Sequence, residues 1–597
     1  MTTTTDLETL LAAHEDDTFS PAALAELDAR EEFPGDAVRV LDDAGLAAHY
    51  VLPPDGDVSG TCDVSETVRL LRAVARRDLT VAIAHGKTFL GTAPVWVAGT
   101  PDQATRLAER VRGGEAVCWG LTERDHGADL LAGELAAVAD TESGAGGSGS
   151  GSGNGIGGDA GSGVGGGSGG WRLTGEKWLI NNATRATLAC VLARTDPAGG
   201  GRGFSLFLVD KRRLPEGAWR SLPKVRTHGI RGADISGFAL DGAPVPADAL
   251  VGEEGDGIAV VLKTLQLTRI ACTALSLGAA DHALRLARDF ATGRELYGRR
   301  LADVPHVRRI LGRAAAAALT AEAVSALSAR SVHTLPGELS AISAITKAYV
   351  PTLTQETLGS LGELLGVRGF LTSPPGGGFA KLERDHRICA IFDGSTVVNR
   401  AALLNQMPRL ARQPSRRRTD TEGLRVAADL TAPLPPFDRD RLTLLSVTGC
   451  SAVQALPDLA EHIREEGPPE AGVLMDRLLA ELARMETESA DFLPVAGGLP
   501  STAFGLAETY ERAYAAAAVL LLWRENPTLR TGRLGLDGLW LRACLAALLG
   551  EDGSANASAG DRDKDRECDR ANDVFDALAD VVLGTPETEF TLWGGTA

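Results

Sequence analysis

A chain of 597 residues is too long for one ordinary hydrophobic core, so two or more cooperating domains are expected. Its 44% apolar and 23% charged residues are globular in character, and a formal charge of −19 excludes the basic field that a nucleic-acid surface needs. Eight cysteines occur singly, with no Cys-x-x-Cys pair or zinc-like spacing, and the acidic N-terminus has no apolar signal core. A reduced, cytoplasmic protein without a metal site or a membrane span is therefore expected.

Residues 1–34 form a polar, weakly helical extension. Over 35–116 the apolar positions recur at helical spacing, as in Val38, Leu41 and Leu46, then Val68, Leu71 and Val74. Pro101 opens another helix at a first-turn position. At 117–254 the period shortens. Val117 to Glu123, Leu131 to Ala139, Trp171 to Ile180, Leu188 to Arg194, Gly203 to Val209 and Ile235 to Leu240 read as strands of a β-barrel or sandwich. A Gly/Ser-rich tract, 143–170, interrupts them and reads as a disordered loop. It contains Gly153-Asn-Gly-Ile-Gly-Gly158, a formal dinucleotide fingerprint that lacks the flanking strand and helix.

From 255 to 411 long Ala- and Leu-rich segments give a helix-bundle pattern: Ala274 to Gly293, Val304 to Ser331, Ser340 to Leu365 and Thr396 to Leu410. Residues 412–436 read as a linker, and 437–597 as a further helical domain with a polar loop at 551–572. Its longest apolar run, Tyr514 to Trp523, is too short to span a bilayer.

One stretch of the bundle carries an acid in an unusual setting. Asp393 precedes Gly394 and Ser395, with Arg400 seven residues on, two helical turns later. By itself Asp393 reads as the N-cap of the helix that follows. Upstream stand Leu121-Thr-Glu-Arg-Asp-His-Gly-Ala-Asp129, Gly175-Glu-Lys-Trp-Leu-Ile-Asn181, Gly229-Ile-Arg-Gly232, Arg294-Glu-Leu-Tyr-Gly298, Leu365-Gly-Val-Arg-Gly-Phe370 and Arg384-Asp-His-Arg387.

These motifs, in this order over roughly residues 33–410, resemble the acyl-CoA dehydrogenase family. The resemblance implies an α+β multidomain fold: an N-terminal helical domain, a middle β domain, a C-terminal four-helix bundle and, here, an extra C-terminal helical domain. It implies FAD, lined by Trp119, Leu121, Thr122, Ala128, Trp178 and Ile180, with Arg294, Glu363, Gly366 and Ser395 also facing the cofactor. Ala128, Ile180 and Glu363 differ from the family's common residues, and each swap is expected to remove a polar contact worth about 1 kcal/mol. Asp393 falls where the family usually carries a Glu base, and Thr268, Arg269, Gly394 and Arg400 are the implied substrate-binding residues. His126, within the flavin loop, reads as a surface residue.

The implied reaction is α,β-dehydrogenation of an acyl thioester, carried by CoA or an acyl carrier protein. Asp393 removes the α-proton while a hydride passes to flavin N5, and an electron-transfer flavoprotein or O2 takes the electrons. Two readings stay open beside it: an oxidase of the same fold, acyl-CoA oxidase or nitroalkane oxidase-like, and a flavin-poor structural subunit of a heteromeric dehydrogenase. The C-terminal extension resembles longer family members and acyl-CoA oxidases, and it implies a homodimer.

Overall fold

The computed structural model describes residues 2–52, 63–140, 169–372, 377–411, 419–490, 492–494, 498–550, 574–585 and 590–593. Nearly all of the Gly/Ser-rich tract with its formal fingerprint, the first part of the expected linker, and the polar loop 551–572 lie outside the described residues. Two compact units emerge: residues 87–225 with 234–261, and residues 1–86 with 226–233 and 262–597.

The first of these is built on an eight-stranded sheet. Its strands are β1 (Val117–Gly120), β2 (Ala136–Ala139), β3 (Trp171–Asn181), β4 (Leu188–Arg194), β5 (Phe204–Asp210), β6 (Trp219–Leu222), β7 (Ile235–Val245) and β8 (Leu250–Val251). They run in the order β6-β7-β3-β2-β4-β5-β8, with β1 parallel beside β4. Leu173, Val191, Phe207, Phe238 and Leu240 share one core. β4 is buried from Leu188 to Ala193, which matches its unbroken apolar run. The apolar helix Thr88–Ala98 packs on β1 and β4 and approaches closely because residue 91 is glycine. A Cβ there would lie 2.5 Å from the Val117 carbonyl oxygen.

The expected strand over Leu131–Ala139 is shorter than the pattern suggests. Leu130–Ala132 forms a 3-10 turn, and only Ala136–Ala139 pairs with β3. The cause is a side chain: Glu123 accepts the backbone N–H groups of Glu134 and Leu135 at 2.7 and 3.1 Å, satisfying donors outside the sheet. The short strands β6 and β8 escaped the sequence pattern.

In the other unit the helices Thr273–Gly293, Pro305–Thr334, Leu339–Leu365 and Thr396–Ala411 pack together, with Leu339–Leu365 touching the other three. Phe504–Glu525 packs on the last three of these, and its buried run Tyr514–Leu522 accounts for the apolar sequence there. The Gly257–Gly293 stretch and the helix Pro305–Thr334 are long and apolar enough to cross a membrane, but 78% and 83% of their most apolar windows are buried inside the protein. They are core helices.

The stretch read as a linker holds a helix, Thr421–Ala428, capped by Asp420, whose Oδ1 accepts the Gly423 N–H at 2.8 Å. It packs on Pro305–Thr334, from which Arg330 donates to the carbonyls of Val426, Ala427 and Asp429.

The Arg384-Asp-His-Arg motif has a structural task within this unit. Asp385, fully buried on the helix Gly377–His386, accepts from Lys381 Nζ at 2.8 Å, from the Ile230 N–H at 2.6 Å and from Thr80 Oγ1 at 3.1 Å. Burial by itself would raise this carboxyl, but Lys381, Arg384 and the Ile230 N–H outweigh it and hold the group below its ordinary value of 3.8. Asp385→Asn, which keeps the shape and removes the charge, should destabilise the protein by about 3 kcal/mol at neutral pH, read as a lower urea midpoint. The folded carboxyl is depressed, so its stabilisation is present above the unfolded value and lost as pH falls through the folded one. The gap between wild type and variant therefore closes on acidification.

Candidate active site

In the sheet unit, the loop Leu121–Asp129 leaves β1 and is tied to β3 at both ends of one peptide ladder. The Trp178 N–H donates to the Thr122 carbonyl at 3.0 Å, and Thr122 Oγ1 donates to the Trp178 carbonyl at 2.7 Å. Beneath it the buried Lys177 ammonium donates to Glu123 Oε1 at 2.7 Å and to the Leu121 carbonyl at 3.1 Å. Burial would raise the Glu123 carboxyl, yet Lys177 and the two backbone N–H groups hold it below its ordinary value. At Leu179 the β3–β7 register shifts, and Leu179 adopts a left-handed φ of 59°. This bulge re-aims the neighbouring side chains, a device common beside active sites. Trp178 stays partly exposed, with the Arg124 guanidinium 4.9 Å from its ring centre. Trp119 is buried, and its indole N–H has no partner among the described residues. Ile180 is buried, whereas Ala128 is exposed, and neither offers a polar side-chain atom.

In the helical unit the loop Ile391–Ser395 is held from three helices. Lys347, in the middle of Leu339–Leu365 and only 1% exposed, donates from Nζ to the carbonyls of Cys389 at 2.7 Å and Gly394 at 3.2 Å. Arg269, near the end of Gly257–Ala271, donates from Nε to the Asp393 carbonyl at 3.0 Å. From Thr396–Ala411, Asn399 Nδ2 donates to the carbonyls of Gly394 at 2.7 Å and Ser395 at 3.0 Å. The Cys272 thiol, between two helices, donates to Asp393 Oδ2 at 3.0 Å. Asp393 itself has a left-handed φ of 55°, a conformation Asp tolerates better than most residues. Gly394, at φ 91°, is required by crowding as well, since a Cβ would sit 3.1 Å from Asn399 Nδ2 and 3.2 Å from Arg269 Nη2. Burial lowers the Arg269 guanidinium to about 10, against the pull of Asp393, and it stays protonated at neutral pH. This cluster sets a carboxylate on a loop whose backbone carbonyls are held by Arg269, Lys347 and Asn399.

The structure brings together Asp393, Gly394, Ser395, Thr268 and Arg269. Thr268 lies one residue before Arg269, and its buried hydroxyl has no partner among the described residues. Two expectations are corrected. Asp393 is not the N-cap of Thr396–Ala411; Ser395 Oγ accepts the Val398 N–H at 3.3 Å, because the left-handed turn at Asp393 and Gly394 delays the helix start. Arg400, expected to bind substrate, instead has its guanidinium committed to a bidentate pair with Glu511 at 2.9 and 3.0 Å and a third bond to Glu508. Both acids lie on the C-terminal helix Phe504–Glu525, beyond the reach of a spacing argument.

Arg294, Glu363 and Gly366 are exposed and take no part in this cluster's hydrogen bonds. Arg294 leaves the helix Thr273–Gly293 for a short hairpin, and Gly366, at φ 57°, ends Leu339–Leu365. His126 is a partly exposed loop residue.

Lys347 and Cys272 escaped the sequence reading. Lys347 left a signal, as a lone cation inside Ala-Ile-Thr-Lys-Ala-Tyr-Val-Pro; Cys272 left none. Lys347→Met fills a similar volume but removes one hydrogen bond from each of the Cys389 and Gly394 carbonyls, so the amides of residues 389–396 should exchange hydrogen roughly tenfold faster while the helical circular dichroism is unchanged.

Comparison with known proteins places this arrangement. Residues 118–243 match the model of the acyl-CoA dehydrogenase middle domain, and residues 255–407 that of the acyl-CoA dehydrogenase C-terminal domain. A probable acyl-CoA dehydrogenase of Mycobacterium tuberculosis is 26% identical over 384 residues, covering 64% of this chain and 89% of its own. Among solved structures, an acyl-CoA dehydrogenase of Bacillus anthracis complexed with FAD is 17% identical with a TM-score of 0.62, over 97% of this chain and 88% of its own. It shares the fold through the C-terminal helical region. A prolyl acyl carrier protein oxidase is 18% identical with a TM-score of 0.57, over 67% of this chain and 97% of its own. The two domain matches identify residues 118–243 and 255–407 as the middle and C-terminal domains of an acyl-CoA dehydrogenase-like flavoprotein oxidoreductase.

Proposed function

We propose that this protein catalyses FAD-dependent α,β-dehydrogenation of an acyl thioester, borne by CoA or an acyl carrier protein, with Asp393 as the base. The observation that carries the reading is the Asp393 carboxylate, held on an over-determined loop by Arg269, Cys272, Lys347 and Asn399. The residues present fit FAD: the buried indole N–H of Trp119 lacks a partner among the described residues, Trp178 is partly exposed, and its hydrogen bonds with Thr122 fix it beside the loop. Ala128 and Ile180 supply no polar side-chain atom, so the hold rests on that indole and on backbone groups. Bound beside Trp119 and Trp178, FAD would supply the hydride acceptor that such a dehydrogenation needs.

The chain's own part is the proton. A thioester acidifies its α-hydrogen, and an Asp393 oxygen accepts it. The left-handed turn and the four tethers hold the carboxylate, where about 1 Å of misplacement costs on the order of a hundredfold in rate. Arg269 and Lys347 place two cations against the backbone of this loop. The exposed apolar side chains near Arg294 and Gly366, Tyr297, Val367 and Phe370, support a homodimer in which a second subunit covers them.

Purified protein should be yellow, with about one FAD per chain. Anaerobic mixing with straight-chain acyl-CoA and phosphopantetheine-bound thioesters should bleach the flavin for at least one member of the panel. Asp393→Asn tolerates the left-handed backbone; it should keep FAD and bleach roughly a thousandfold more slowly. Undiminished bleaching by this variant, or a colourless wild type, sinks the reading. Peroxide release on readmitting air would assign O2 as acceptor, whereas turnover only with an artificial electron acceptor would assign a flavoprotein partner.

A further inference from the structure

Cys272 stands at the junction between Gly257–Ala271 and Thr273–Gly293, 7% exposed, with its Sγ 3.0 Å from Asp393 Oδ2. An ionised carboxylate only accepts hydrogen bonds, so the thiol is the donor. Thiols are weak donors, but a charged acceptor strengthens the bond. The other tethers of this loop act on backbone: Arg269 on the Asp393 carbonyl, Lys347 on those of Cys389 and Gly394, and Asn399 on those of Gly394 and Ser395. They fix the backbone around Asp393. The Cys272 contact reaches the carboxylate itself.

We infer that Cys272 is a positioning residue for the base, with its S–H group orienting the Asp393 carboxylate. The inference rests on the reading of Asp393 as the base. A short Asp side chain gives it physical sense, since one fixed oxygen determines the plane of the whole carboxylate. Protonation of Asp393 weakens the acceptor, so the S–H bond slackens as the substrate proton arrives.

The test uses FAD-loaded full-length protein and two variants, Cys272→Ala, which removes the donor, and Cys272→Ser, which keeps one. Anaerobic stopped-flow reduction by the fastest thioester of the panel is followed against pH. Cys272→Ala should lower the limiting reduction rate roughly tenfold, leave substrate affinity within about twofold, and raise the kinetic pKa of the base by about half a unit to one unit. Cys272→Ser should recover most of the rate. A second readout needs no substrate: the infrared S–H stretch lies in a window free of other protein bands. A low-frequency S–H component should be absent in Cys272→Ala and move upward in Asp393→Asn, where a weaker amide acceptor replaces the carboxylate.

An S–H band unaffected by Asp393→Asn overturns the proposal, as does wild-type rate and pH dependence in Cys272→Ala. A variant that only melts earlier, with both readouts unchanged, reduces Cys272 to packing and overturns it equally. Undiminished reduction by Asp393→Asn removes the base assignment instead, and the infrared result then still decides whether the thiol holds the carboxylate. If no thioester reduces the flavin, the infrared comparison decides alone.

Discussion

The arrangement of this protein's reactive loop depends on one buried ammonium. Lys347 lies inside an apolar helix, where an unsatisfied charge would cost several kcal/mol. The carbonyls of Cys389 and Gly394 take up its hydrogen bonds, and these two residues bracket Asp393 in the chain. Satisfying the lysine therefore fixes the loop. Asp393 can hold a left-handed conformation only because its surroundings over-determine it, and the lysine supplies much of that constraint.

A similar device recurs wherever a family motif meets the core. Asp385 gathers Lys381, Thr80 and the Ile230 N–H, which locks the 226–233 segment within its unit. Glu123 gathers Lys177 and two backbone donors, which sets the loop beside Trp178. Buried ion pairs are weak evidence for stability, since desolvation offsets most of their attraction. Their value here is geometric: each has partners fixed in number and direction, so each specifies one loop conformation. Motif residues that look chemical in the sequence, such as Asp385, act through this constraint rather than on a substrate.

The C-terminal helices alter the bundle they cover. Phe504–Glu525 buries its apolar run against three bundle helices and brings Glu508 and Glu511 to Arg400. Burial raises the Glu511 carboxyl to about 7, and Arg400 opposes the rise. An arginine whose spacing from Asp393 suggested substrate contact thus becomes part of the joint between bundle and extension.

Much of the fold was legible in the chain by itself. Helical spacing located Thr273–Gly293, Pro305–Thr334 and Leu339–Leu365 to within a few residues, and apolar runs with turn residues located β3, β4, β5 and β7. Those features are local, set by side-chain periodicity and backbone preference. The order of the motifs pointed to the family, and Asp393 stood out because an acid before Gly and two hydroxyl residues is a local pattern too. The remainder depended on residues distant in the chain. The Cys272–Asp393 contact spans 121 positions, Arg400–Glu511 spans 111, and Asp385–Ile230 spans 155. Local spacing holds no record of such pairings, because they arise only when packing brings two elements together and burial forces each polar group to find a partner. The sequence by itself determined which helices and strands form and which acid is the candidate base. Tertiary structure decided which groups hold that acid, because the need to satisfy a buried charge or donor exists only once the chain has folded around it.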